Sequence, residues 1–129
     1  MTGERRKIVR KHTDLEVYNR AFAAAMQVFE SSRSFPAEER YSLTDQARRA
    51  SRAVAANIAE AWRNRRYPAA FVAKLSLAEG EAAESQTWIQ FAVSCSYLES
   101  SIARPLYAEY DEIIAMLVHM ITHADDWKL

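Results

Sequence analysis

The stretch Ser42–Arg63, SLTDQARRASRAVAANIAEAWR, decides how this chain is read. Ser42 followed by Asp45 marks a helix start. The serine hydroxyl can accept an amide three residues on, and an acidic side chain there can answer it. Leu43, Ala47, Ala50, Val54, Ile58 and Ala61 then recur every three or four residues, which is one apolar stripe of an α-helix. Gln46 and Asn57 lie beside that stripe, where an unpaired amide costs about 1–3 kcal/mol. Both are therefore expected to hydrogen-bond to neighbouring helices and fix register, as buried asparagines do in coiled coils. Arg48, Arg49 and Arg52 share the helix, and Arg63, Arg65 and Arg66 carry the charge past its end.

Outward from this helix the pattern repeats. Leu15, Tyr18, Phe22, Ala25 and Phe29 predict a first helix over about 14–33, ended by Ser34-Phe35-Pro36 because proline disfavours helix in the residue before it. Pro36-Ala37-Glu38-Glu39 suits a short helical turn. Pro68 suits the first turn of a third helix to about Tyr97, with Phe71, Leu75, Ala78, Ala82, Ser85, Ile89, Ala92 and Cys95 on its stripe. Gly80 lies inside it, and the close approach of a neighbouring helix would account for it. Leu106, Tyr110, Ile113, Leu117 and Met120 predict a fourth helix from Arg104 or Pro105 to His123. No segment alternates as a strand does.

The expected fold class is all-α, an antiparallel up-down-up-down four-helix bundle. Residues 1–12, basic and aperiodic, are expected to form a flexible arm, and 13–129 one domain. Trp88, Phe91, Tyr97, Tyr107, Ile114 and Ile121 fall off the main stripes. A chain of 129 residues has limited interior for them, which argues for a second apolar surface and a homo-oligomer.

Formal charge is zero, with 17 basic and 17 acidic residues, but the signs are segregated. Between Arg40 and Arg66 seven arginines face only Asp45 and Glu60. From Glu79 onward nine acids face Arg104 and Lys128. Such asymmetry serves either a polyanion or subunits that meet positive to negative. The single cysteine, Cys95, excludes an intrachain disulfide and is expected to be a small buried hydrophobe in a reducing cytoplasm. The basic start is followed by no hydrophobic region, and no apolar run reaches membrane length, so a soluble, cytoplasmic protein is expected.

Several chemistries find no support. A carboxylate-bridged di-metal bundle needs Glu-x-x-His, and none occurs. His119 and His123 specify no third metal ligand and suit the negative end of the last helix. Cys95 has no base nearby, and Gly3 and Gly80 cannot build a phosphate loop. Arg6-x5-His12 loosely matches a helical ribonuclease, but it lies in the expected arm. The reading is thus a non-enzyme without metal or cofactor. The six arginines Arg48, Arg49, Arg52, Arg63, Arg65 and Arg66 are its candidate nucleic-acid contacts. The alternatives are a protein-binding oligomer whose arginines pair with acids such as Glu60, Glu81 or Glu84, and a helical nuclease.

A connected series carries a family resemblance. It comprises Phe35-Pro36, Glu39-x-Tyr41-x-Leu43-x-x-Gln46-x-Arg48-Arg49-Ala50, Asn57-Ile58-Ala59-Glu60, Phe71, Leu77-Ala78, Glu84 and Thr87. Over Leu15 to Met120 the chain resembles the small four-helix bundle proteins encoded within intervening sequences of bacterial 23S rRNA genes. Ala61 stands where that family usually has glycine, which implies that the second helix continues towards Arg66. The family in turn is similar to the accessory variability proteins of diversity-generating retroelements, which form pentameric barrels and bind nucleic acid and a reverse transcriptase through basic surfaces. The resemblance therefore implies a homopentamer with RNA, DNA or a nucleic-acid-processing protein such as a reverse transcriptase as partner. It leaves the biochemical role itself poorly defined.

Overall fold

A computed structural model describes residues 8–129. The described residues contain four long helices and no strand: α1 Glu16–Ser32, α2 Leu43–Arg63, α3 Pro68–Ser94 and α4 Ser100–Thr122. Short 3₁₀ turns at His12–Asp14, Ala37–Glu39 and Ala124–Trp127 bracket them. Each helix packs on the next in sequence, most extensively α2 on α3, and α1 packs on α4 to close the bundle. No helix among the described residues is long and apolar enough to cross a membrane.

The stripes expected for α2, α3 and α4 form the core, apart from the last position of α3. Val54, Ile58, Phe71, Leu75, Ile113 and Leu117 are almost wholly enclosed. Tyr110 is buried with them beside Ser51 and Ser85, whose hydroxyls are donated to Arg48 O and Glu81 O of their own helices. Burial pushes the Tyr110 hydroxyl pKa up, and the two serines only partly offset it.

The first helix departs from the expected stripe. Its buried side is Val17, Ala21, Ala24, Ala25, Val28 and Ser32, while Phe22 is exposed and Tyr18 and Phe29 are half-buried. Small residues let α1 approach two neighbours closely, and its aromatic rings are displaced to the edges of the contact. Tyr18 there meets His12 edge-on at 4.8 Å and Phe22 at 6.2 Å.

Capping also differs in detail. Ser42 is the N-cap of α2, but its hydroxyl donates to Glu39 Oε1, and the same carboxylate oxygen accepts the Leu43 amide at 3.3 Å. Glu39 Oε2 accepts the Tyr97 hydroxyl at 2.9 Å, which ties the α1–α2 connection to the end of α3. These bonds hold the Glu39 carboxyl below its usual pKa and push the Tyr97 hydroxyl up to about 12. Asp45 plays no part in the cap.

Helix α2 runs through Ala61 but stops at Arg63, where Asn64 caps it by donating its amide to Ala61 O and Glu60 O. Helix α3 ends at Ser94 in a Schellman motif. Tyr97 N–H reaches Ala92 O, Ser96 N–H reaches Val93 O, and Ser96 takes φ 64°, the left-handed position usually given to glycine. Cys95, in this C-terminal turn, is exposed rather than buried, because the helix has ended before its stripe reaches it. Gly80 accommodates no neighbouring helix: a Cβ there would meet nothing within 4 Å. Helix α4 begins one turn before Pro105, which sits inside it on the exposed side.

The first seven residues of the arm expected over 1–12 lie outside the described residues. In the remainder, Asp14 Oδ2 accepts the amides of Arg10 and Lys11 at 3.0 and 3.2 Å, and Val9 packs against the core. Of the six apolar residues expected in surplus, Phe91 is exposed and the other five are half-buried. The larger exposed apolar set also includes Phe22, Met26, Leu77, Ile102 and Val118.

Candidate nucleic-acid interface

The six arginines do not share one surface. Arg48 is half-buried at the α1–α2 contact, where its Nε donates to Ser32 Oγ at 2.8 Å. Ser32 is buried and donates its hydroxyl to Phe29 O at 2.9 Å, which turns its oxygen to accept from Arg48. The Arg48 guanidinium lies 4.8 Å from the centre of the Phe29 ring. Arg52, one turn on and exposed, lies 5.9 Å from the same ring, and Arg33 of the α1 C-cap 5.7 Å from it.

Arg49, one turn before Arg52, shares a groove with it. The groove, about 430 Å³, is also lined by Gln46, Ala53, Ala56, Glu81 and Glu84. Burial and then the Glu84 charge raise the Glu81 carboxyl above its usual pKa, and the Arg49 charge opposes them. Arg65 folds back on the helix end. Its guanidinium sits 3.4 Å from the Trp62 ring centre and its Nε donates to Trp62 O. Burial, then the charge of Arg63, holds it below the usual arginine pKa. Arg63 and Arg66 are exposed.

None of the six joins an ion pair among the described residues. Glu60, one of the acids expected to pair with them, is taken by Lys74 at 2.8 Å. The close arginine–carboxylate pair is elsewhere: Arg20 of α1 donates to both oxygens of Glu109 of α4, with Nε at 2.9 Å from Oε2.

The register-fixing amide is neither of those expected. Asn57 bonds its own helix at Ala53 O, and Gln46 lines the groove without a hydrogen bond to a neighbouring helix. Gln86 does that work instead, donating to Tyr107 O at 3.1 Å and Asp111 Oδ1 at 2.8 Å across the α3–α4 contact. Sequence reading also missed Phe29 and Arg33. Their i, i+4 spacing matches that of Arg48 and Arg52 and was the available signal.

Two other regions hold a cavity and a histidine pair. The cavity, about 530 Å³, is apolar and lies between α1 and α4, lined by Leu15, Val17, Met116, Met120 and Trp127 with His119 at its edge. His119 and His123 stack with ring centres 4.1 Å apart, and His123 Nδ1 lies 2.9 Å from His119 O at the helix C-terminus. Among the described residues no three His, Cys, Asp or Glu side chains gather as metal ligands. His12 packs on Tyr18, while Arg6 of the nuclease-like spacing lies outside the described residues.

The class of protein is a small helical bundle whose second helix carries arginines outside any ion pair among the described residues. The chain belongs to the 23S rRNA-intervening sequence protein family, whose pattern matches residues 13–119. It is similar in structure to a protein of unknown function from the S23 ribosomal protein family of Bacteroides thetaiotaomicron. The TM-score is 0.74 at 23% sequence identity, over 81% of this chain and 97% of that one. This likeness carries the fold alone. No curated protein matches the sequence.

Proposed function

We propose that this protein is a non-enzymatic, cytoplasmic homo-oligomer that binds structured RNA through the arginines of α2. Its protomer is an antiparallel up-down-up-down bundle, and its assembly is a pentamer. Antiparallel order is supported by short connections and by bonds that join distant ends, such as Tyr97 to Glu39. Self-association is supported by the exposed Phe22, Met26, Leu77 and Phe91.

The observation that carries the RNA reading is the absence of intrachain ion pairs at all six arginines among the described residues. An arginine gripped by a carboxylate has its charge neutralised, as Arg20 has by Glu109. Uncancelled guanidiniums instead offer paired N–H donors to phosphate oxygens. The family's description, which ties it to 23S rRNA genes, is consistent with an RNA partner. A reverse transcriptase or other nucleic-acid-processing protein would be recruited through the bound nucleic acid.

A second reading is favoured by the exposed Glu84-side groove, where Arg49 stands near acids without touching them. There an arginine could pair with a neighbouring subunit. Filter binding of a structured RNA separates the two. Four exposed arginines (Arg49, Arg52, Arg63, Arg66) predict a log–log salt slope of about −3. Affinity absent even at low salt, with an assembly that dissociates as salt rises, supports the intersubunit reading. Light scattering that gives a monomer removes the oligomer.

A further inference from the structure

We propose that Arg33, Arg48 and Arg52, gathered around Phe29 where α1 meets α2, form a phosphate-binding site. The proposal rests on the reading of this face as an RNA contact and names the group it takes. Three guanidinium centres lie within 6 Å of one ring centre. Cation–π contacts occur about once per 70–80 residues, so three on a single ring mark a built cluster rather than scattered contacts.

The charge in this cluster is not cancelled. Glu30 stands 3.7 Å from Arg33 with both side chains about two-thirds exposed, where such pairs are weak, and Arg52 borders the groove of Glu81 and Glu84 without an ion pair to either. Arg48 and Arg52 have no acid within pairing distance among the described residues. An anion seated among three guanidiniums gathered on one ring is attracted by all of them.

The cluster is also held in place before any ligand arrives. Ser32 anchors the Arg48 Nε, and the Arg48 guanidinium lies over the Phe29 ring. A guanidinium whose face lies against a ring keeps its in-plane N–H donors for a second partner. The terminal nitrogens of Arg48 and Arg52 donate to no group among the described residues. A tetrahedral oxyanion with several acceptor oxygens and more than one charge matches such donors better than a single carboxylate does. The phosphate can belong to an RNA backbone or to a free polyphosphate, and the two are separable.

The test uses the full chain with two probes, a fluorescein-labelled RNA hairpin followed by anisotropy and inorganic tripolyphosphate followed by calorimetry. Arg33→Gln/Arg52→Gln removes two exposed charges of the cluster, and Arg104→Gln/Lys128→Gln removes two exposed charges outside it and outside the proposed RNA contacts. Circular dichroism confirms that each variant folds. The cluster pair is expected to weaken both probes at least about tenfold. The control pair is expected to weaken the hairpin less than about threefold and leave tripolyphosphate unchanged. Equal losses from both pairs, or hairpin binding untouched by the cluster pair, overturn the site while the RNA reading stands. Tripolyphosphate bound and lost on the cluster substitution, with no hairpin binding by the wild-type chain, upholds the site and overturns the RNA reading. Neither probe bound at low salt overturns both.

Discussion

Helix α1 has arginines on both flanks, and the two flanks treat them differently. Towards α4, Arg20 is gripped by Glu109, with each side chain about 30% exposed and Met116 Sδ 3.7 Å from the guanidinium. Towards α2, Arg48 is held by a hydroxyl and an aromatic ring, and its charge is left standing. A carboxylate partner commits an arginine to architecture. A hydroxyl and a ring fix its position and keep it available to an outside anion. Both flanks contribute to the same contact layer, so the difference lies in the partner and not in burial.

The comparison can be broken at several points. The largest effect is expected where both flanks rest on the shared core: Ile58→Ala should cost about 2–5 kcal/mol in urea unfolding. Loss of one flank's contacts well before the other would show that they are not one cooperative unit.

Next is Glu109→Gln, expected to cost about 1–2 kcal/mol at neutral pH because it removes charge-assisted hydrogen bonds from a partly exposed pair. The sign with pH follows from the direction of the shift. The Arg20 hydrogen bonds hold the Glu109 carboxyl below its ordinary value. Its contribution is therefore complete above the unfolded carboxyl value of about 4.3 and lost as pH falls through the lower folded value. The variant should lack that part of the acid limb. An unchanged acid limb would mean that the Arg20 flank is not the acid-sensitive one.

Two backbone substitutions set the scale away from both flanks. Gly80→Ala and Ser96→Gly should each stabilise by about 1 kcal/mol. The first adds helix propensity in open space, and the second relieves a non-glycine residue at positive φ. Destabilisation by either would contradict the local geometry.

The smallest stability change is expected for Arg52→Gln, within about 0.5 kcal/mol, since an exposed arginine without an acid partner contributes little to folding. A larger loss would show that the α2 flank is architectural too, and the two flanks would then differ only in degree.

The four helices were legible because α2, α3 and α4 bury the residues their 3.6-residue period singles out. Helix α1 misled because it carries two competing stripes. The aromatic stripe Tyr18–Phe22–Phe29 has the greater hydrophobicity, but the alanine stripe has the smaller girth, and close packing between two neighbours favoured girth. Cys95 misled for a different reason: the helix stops at Ser94, and periodicity carries no information about where a Schellman turn begins. The arginines were legible as residues and illegible as a surface. What separates Arg48 from Arg65 is supplied by Phe29 and Ser32, which lie nineteen and sixteen positions before Arg48 on another helix. A local pattern on α2 cannot contain that partner.

The exposed position of Cys95 at the end of α3 has a practical consequence. As the sole thiol of the 129-residue chain, it allows one maleimide dye to be attached per protomer at a known place. Counting photobleaching steps on single immobilised particles would then read subunit number directly. Where more than one step is counted, energy transfer between the dyes would report how far apart the α3 ends stand in the assembly.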